Sequence, residues 1–336
     1  MGAIEILDCT LRDGGYVNNW EFGIQTARSI IDGIYDAGVR YIEIGIMGLD
    51  PITGRQTKFS DFEQMKPFLG KRKADCHYAV MVTTALSDSF EYPRCDEDTP
   101  DIIRIAYFKP ELMKTLNLAK RLKELGYRVF LQAMATFMYS GEELKVMVEH
   151  INELNPAAFY MVDSFSTMYP DDVVKMRDLI LCELRDDVIF GFHAHNNLQM
   201  AFANIQKFID IKADRQLMVD ASIYGMGRGA GNVPLELLMA YMNKKHDTGF
   251  NTTLVLSIYQ KYLEPVYRKY GWGYSAPYYL TAVNSLNSVW GWFFMNRGIT
   301  DIEELDRAFK MIPAGTAYTM NRDIANEIVE RIRKTS

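Results

Sequence analysis

The chain has 336 residues, 48% hydrophobic and 12% aromatic, enough for a large core in no more than about two folding units of ~150 residues. A net charge of −6, with no Lys/Arg cluster interleaved with aromatics, excludes a general nucleic-acid surface. No window approaches the ~18 uninterrupted apolar residues of a membrane span.

The start, Met1-Gly2-Ala3-Ile4-Glu5-Ile6, lacks the basic and apolar regions of a signal peptide. Gly2 is not a myristoylation site, because that motif wants Ser or Thr where Ile6 stands. Cys9, Cys76, Cys95 and Cys182 show no CxxC spacing and suit reduced thiols, so a cytoplasmic protein is expected, with no membrane and no nucleic acid among its partners.

In chain order, Ile4–Cys9 reads as a strand, Gly23–Ala37 as a helix ending near Gly38, and Val39–Gly45 as a second strand with Glu43 at its polar end. Further strands are predicted at Cys76–Val82, Ile102–Ala106, Arg128–Ala133, Ala158–Asp163, Ile189–His195 and Leu217–Tyr224. Helical patterns cover Asp61–Leu69, Glu111–Glu124, Gly141–Leu154, Asp171–Leu184, Leu198–Ile209 and Leu235–Asn243, whereas Thr84–Asp101 reads mostly as loop. This alternation fits an α/β fold, a (β/α)8 TIM barrel over residues 1–245, better than an open doubly wound sheet. Arg12-Asp13-Gly14-Gly15 after the first strand is not GxGxxG, and the nominal glycine pattern of residues 225–232 follows the eighth strand without the rest of a dinucleotide unit.

Residues 246–336 form a helical, aromatic-rich C-terminal region, with a helix predicted over Leu254–Tyr270. Its aromatic density, from Tyr267 to Phe294, reads as core or as the interface of a homo-oligomer, with a lid over the active site as the alternative.

Polar groups gather where the C-terminal ends of the strands should meet. Asp8, Arg12 and Asp13 follow the first strand, Glu43 ends the second and Asp163 the sixth. His193 and His195 end the seventh, two apart and therefore on one face. Two imidazoles and a carboxylate make a divalent-metal site. Asp8 either caps its turn, holds Arg12 or enters the chemistry; Glu43 and Asp163 either support the site or are solvated strand ends. The glycine loop suits close backbone approach to a substrate carboxylate.

Asp8-Cys9-Thr10-Leu11-Arg12-Asp13-Gly14 followed by His193-Ala194-His195-Asn196 resembles the DRE-TIM metallolyase superfamily, also called HMG-CoA lyase-like. Val219-Asp220-Ala221-Ser222 with Gly225-Met226-Gly227 and Gly229-Ala230-Gly231-Asn232-Val233-Pro234-Leu235-Glu236 is most similar to its 4-hydroxy-2-oxovalerate aldolases. The resemblance implies Asp13, His193 and His195 as metal ligands, Asn232 as a fourth, and Arg12 as the electrophilic residue. It also implies a small 2-oxo acid substrate, for which Gly227, Gly229, Gly231, Glu43 and Asp163 are the candidate binding residues. Manganese is the first expectation for the cation, with magnesium, cobalt or zinc as alternatives. The expected reaction cleaves or forms a carbon–carbon bond of a 4-hydroxy-2-oxo acid, giving pyruvate and an aldehyde, and an aldehyde dehydrogenase is a candidate partner. Tyr16 departs from the pattern, since the aldolases carry histidine there; it is the candidate acid/base or a mark of another substrate. An acyl-CoA lyase or Claisen-type synthase fits less well, because residues 224–232 contain no cysteine. A metal-binding barrel without catalysis is the remaining alternative.

Overall fold

The computed structural model describes residues 3–49, 53–211 and 215–335; Met1 and Gly2, on which the N-terminal readings fall, lie outside them. The chain runs β1 (Ile4–Asp8), short helices α1 (Thr10–Asp13) and α2 (Gly15–Asn18), α3 (Ile24–Asp36) and β2 (Tyr41–Met47). A two-residue strand β3 (Lys58–Phe59), α4 (Lys66–Leu69), β4 (His77–Thr83), β5 (Ile102–Tyr107) and α5 (Leu112–Glu124) follow. Then come β6 (Arg128–Ala133), α6 (Gly141–Leu154), β7 (Ala158–Asp163), α7 (Pro170–Leu181), β8 (Ile189–Ala194), α8 (Ala201–Ile209), β9 (Leu217–Ala221) and α9 (Leu235–His246).

All strand pairings are parallel, and β1 pairs both with β2 and with β9, which closes β1, β2 and β4 to β9 into an eight-stranded barrel. The expected (β/α)8 barrel is therefore the fold. Strand β3 lies outside the ring, against the end of β2 at Ile46 and Met47.

The helices take their places for ordinary reasons. In α3, Ala27, Ile30, Ile31 and Ile34 recur at helical spacing and are buried against the strands. In α6, Ser140 accepts the Glu143 amide while the Glu143 carboxylate accepts the Ser140 amide, a reciprocal cap written in the sequence as Ser-x-x-Glu. The predicted helix at Asp61–Leu69 shortens to a 3-10 turn at Glu63–Met65 and α4, with Pro67 at the start of the latter. Thr84–Asp101 holds only a 3-10 turn, Thr84–Ser89.

Inside the barrel, Tyr41, Ala79, Ile102, Phe130, Ala158 and Ile189 belong to one apolar cluster. With period two along β5, the side chain in phase with Ile102 and Ala106 is Arg104, which is wholly buried. The barrel floor is thus apolar, and the layer above it is charged.

Beyond α9, Leu254–Tyr270 is one helical stretch in three parts: α10 (Thr252–Ile258), a π-helical turn at Tyr259–Leu263, and α11 (Glu264–Tyr270). Pro265, near the start of α11, lacks the amide that a regular turn would use, and the widened turn precedes it. Val255, Ile258 and Leu263 pack into the barrel's outer core. Helices α12 (Ala276–Val283), α13 (Ser288–Asn296), α14 (Ile302–Lys310) and α15 (Arg322–Thr335) complete the chain. Leu286, Trp290, Phe294, Leu305, Phe309 and Ile328 form a cluster of their own among them. Among the described residues no helix is long and apolar enough to cross a membrane.

Candidate metal centre

Chain closure brings β1 and β8 to one mouth. Asp13 ends α1, the single turn after β1; His193 lies in β8, and His195 just past it forms an isolated bridge with Asn232. Ligand atoms of Asp13, His193 and His195 all lie within 4.8 Å of one another, and the three residues are buried.

The surroundings fix how each ring presents itself. His193 Nδ1 is 2.8 Å from Asp220 Oδ2, and His195 Nδ1 is 3.3 Å from the Asp163 carbonyl oxygen. Each Nδ1 faces an acceptor and is the donor, so each Nε2 keeps its lone pair. Both Nε2 atoms are buried without a hydrogen-bond partner. Burial holds the His195 imidazole well below its ordinary pKa and therefore neutral. Burial also opposes ionisation of Asp13, but Arg12 outweighs it and keeps the carboxyl well below the usual range. Two buried imidazoles with unpartnered Nε2 atoms beside a carboxylate are the donor set a divalent cation takes, with positions left for a substrate.

Asp13 is held on all sides. Its Oδ1 is paired with Arg12 Nη1, and its Oδ2 accepts the Asn232 side-chain amide at 2.8 Å and the Arg228 backbone amide at 3.3 Å. Asn232 thus orients Asp13 through its nitrogen, while its Oδ1 is buried without a partner beside the same cluster.

Arg12 Nε donates to Glu43 Oε2 at 2.7 Å, and the same oxygen accepts Arg104 Nη1 at 2.9 Å. Arg104 Nη2 reaches Asp220 Oδ2 at 2.5 Å and Gln132 Oε1 at 3.1 Å. A buried series of alternating charges therefore runs Arg12, Glu43, Arg104, Asp220, and its last carboxylate meets His193. Burial opposes ionisation of Asp220, and Arg104 and His193 overcome it, keeping its carboxyl below its ordinary pKa.

Glu43 is not a solvated strand end, being wholly buried between two guanidinium groups. Asp163 is buried too; its carboxylate accepts the amides of Thr167 at 2.9 Å and Met168 at 3.1 Å and so shapes the loop after β7, while its backbone carbonyl meets His195. Asp8 caps its turn, accepting the Thr10 amide at 3.0 Å and the Thr10 hydroxyl at 2.7 Å, and does not hold Arg12. Tyr16 is half exposed at the mouth, edge-on to Trp20 with ring centroids 4.7 Å apart.

The glycine loop lies against the metal ligands. A Cβ on Gly227 would come within 2.3 Å of Asn232 Nδ2 and 2.6 Å of Asp13 Oδ2. Gly231, at φ +87°, would place one 2.0 Å from the Gly225 carbonyl oxygen. On Gly229 it would meet Asn197 Oδ1 at 2.7 Å.

Residues 104–261, holding both histidines and Asn232, match the HMGL-like family model. Sequence relatives include the oxaloacetate decarboxylase of Mycobacterium tuberculosis, 28% identical over 71% of this chain and 70% of that protein. The 4-hydroxy-2-oxovalerate aldolase of Geobacillus genomosp. 3 is also 28% identical, over 79% of this chain and 78% of its own. Among solved structures, the N-terminal domain of a candidate aldolase from Bacteroides vulgatus superposes with a TM-score of 0.72 at 27% identity, covering 90% of this chain and 99% of the other. The HMG-CoA lyase of Brucella melitensis, at 15% identity and a TM-score of 0.65, shares the fold.

Arg104, Asp220 and Arg228 escape the sequence reading of the site. A charged residue in phase with the inward apolar positions of a barrel strand is the signal that points to the first two. Arg228, amid glycines, has no periodicity to mark it.

Proposed function

We propose that the protein is a divalent-metal-dependent carbon–carbon lyase acting on a 2-oxo acid, with a 4-hydroxy-2-oxo acid as substrate and pyruvate plus an aldehyde as products. The observation that carries this reading is the pair of buried, unpartnered Nε2 atoms of His193 and His195 facing the carboxylate of Asp13. The match of residues 104–261 to the HMGL-like model and the similarity to named aldolases support the reaction class.

Asp13, His193 and His195 would hold the cation, with Asn232 Oδ1 as a further donor; manganese is preferred, and magnesium, cobalt and zinc suit the same donors. The cation would supply Lewis acidity at the 2-oxo group. Arg12 adds a fixed positive charge beside it, where charge develops on the ketone oxygen as the bond breaks. Arg12 Nη2 makes no hydrogen bond among the described residues, so this face of the guanidinium is open to substrate. The backbone at Gly227 and Gly229 admits a carboxylate close to the ligands.

Tyr16 also makes no hydrogen bond through its hydroxyl among the described residues, so no partner prepares it as a base. That favours a second reading, decarboxylation of a 3-carboxy-2-oxo acid, which builds the same charge on the ketone oxygen without removing a hydroxyl proton.

The deciding experiment measures pyruvate release from 4-hydroxy-2-oxo acids and from oxaloacetate with manganese or magnesium, alongside metal stoichiometry. Turnover lost in Asp13→Asn and His193→Ala together with the metal is the expected result. Arg12→Gln should keep the metal and lower turnover about 10²–10³-fold. Full metal occupancy without turnover on any acid would leave a metal-binding barrel instead of a lyase.

A further inference from the structure

We propose that the substrate carries a second anionic group, a carboxylate or phosphate at the end of the carbon skeleton away from the 2-oxo acid, and that Arg228 recognises it from its platform on Tyr16. The proposal rests on the 2-oxo acid reading above and specifies its substrate class.

Arg228 is a cation with no salt-bridge partner among the described residues. Its guanidinium has no carboxylate within 4.0 Å among the described residues; its one side-chain hydrogen bond is a long contact from Nη2 to the Ser164 carbonyl at 3.4 Å. Its Nε is buried with no partner at all. A partly buried guanidinium left so poorly matched costs stability unless something else completes it. Its carbon Cζ stands 5.6 Å from the centroid of the Tyr16 ring, a distance at which the ring face attracts a cation. Tyr16 is in turn braced by Trp20, whose indole nitrogen donates to the Arg12 carbonyl at 2.7 Å. The pedestal is thus anchored on the residue next to metal ligand Asp13.

The position is suited to a substrate's far end. The Arg228 backbone amide touches Asp13, and the residue also lines a cavity of about 910 Å³. That cavity is walled on one side by Tyr16, Trp20 and the glycine loop and on the other by residues of the C-terminal region, among them Trp272, Tyr278 and Trp292. The space far exceeds what pyruvate and a two-carbon aldehyde fill. A ligand held at the metal ligands and extending into this cavity passes Arg228. An anion there would complete the guanidinium with charge-assisted hydrogen bonds. Tyr16 is on this account a positioning residue, which explains a tyrosine where the aldolase resemblance has histidine.

Two measurements test this by calorimetry. In the metal-free protein, inorganic phosphate should bind with 1:1 stoichiometry, about tenfold or more weaker in Arg228→Gln and in Tyr16→Ala; Tyr16→Phe, which keeps the ring, should restore it. In the magnesium-loaded protein, 2-oxoglutarate and its distal phosphonate analogue should bind about tenfold or more tighter than 2-oxovalerate, a preference that Arg228→Gln collapses. Tighter binding of the phosphonate assigns a phosphorylated substrate, and tighter binding of 2-oxoglutarate a dicarboxylic one. Equal affinity for 2-oxovalerate and both anionic acids, or phosphate binding indifferent to Arg228, overturns the proposal. If 2-oxovalerate still binds and Asp13→Asn abolishes it, the lyase reading survives that failure. If phosphate binding depends on Arg228 while no 2-oxo acid binds the loaded protein, the anion site stands and the lyase reading fails.

Discussion

Arg104 and Asp220 are 116 residues apart in sequence and meet at 2.5 Å inside the barrel, so the carboxylate that orients His193 is itself held from strand β5. Glu43 takes the other arm of the same guanidinium and passes the arrangement on to Arg12. The candidate metal ligands thus rest on a buried ionic layer rather than on packing alone.

Arg104→Met tests that layer. Removing the cation leaves buried Glu43 with Arg12 as its one remaining partner and buried Asp220 with His193 alone, an outcome worth up to about 3–5 kcal/mol. Urea unfolding should show this loss, and metal affinity in the surviving folded fraction should fall as well. Unchanged stability would mean that the two carboxylates are neutral in the folded protein.

Asp220→Asn keeps the shape and removes the charge. An amide no longer enforces donation from His193 Nδ1, so Nε2 loses part of its preference for a metal. Metal affinity should drop about 10–100-fold. Titration calorimetry with manganese reads this directly, and an affinity equal to the parent's would separate His193 from the cation.

Gly191 lies two residues before His193 and faces inward with it. A Cβ there would come within 2.5 Å of the Tyr160 ring, whose face lies 4.8 Å from Arg104 Cζ. Gly191→Ala should cost about 1–3 kcal/mol by overpacking and tilt Arg104 with the ring. A thermal-unfolding midpoint lowered together with metal affinity is the expected signature.

Asp8 supplies a pH test away from the metal. Burial raises its pKa from 3.8 to about 7, partly offset by hydrogen bonds from Thr10. A carboxyl raised in the folded state binds its proton more tightly there than in the unfolded chain. Its contribution to stability is therefore full below about pH 3.8 and is lost as pH rises through about 7. Asp8→Asn should flatten that decline, so that the variant gains relative to the parent between pH 5 and pH 8 by roughly a few kcal/mol. Urea unfolding across that range checks it; parallel curves for the two proteins would mean that Asp8 titrates normally.

Much of this was readable before any coordinates. Alternation alone placed His193 and His195 on one face, and the strand count pointed to a closed barrel whose mouth gathers Asp13 beside them. What the sequence hid were relations that only closure creates. Arg104 stands in Ile102-Ile103-Arg104-Ile105-Ala106, where a lone charge has no local partner to announce it, since its partners come from β2 and β9. Asp163 looked like a site carboxylate because it ends a strand at the mouth, yet its oxygens turn to the amides of its own loop. Leu198–Ile209 began later than its pattern, at Ala201, because Asn196 and Asn197 are engaged with the loops around the site.

Closure also sets an order in time. Asp13 leaves the ribosome early, but Asn232, which donates to it, follows 219 residues later, after both histidines and Asp220. Until β9 has docked on β1, the parts of the site belong to opposite ends of an unfinished ring. Uptake of the proposed metal would therefore be a late event in the life of each molecule, and ion retained in a nascent or partly unfolded chain would report whether the ring has shut.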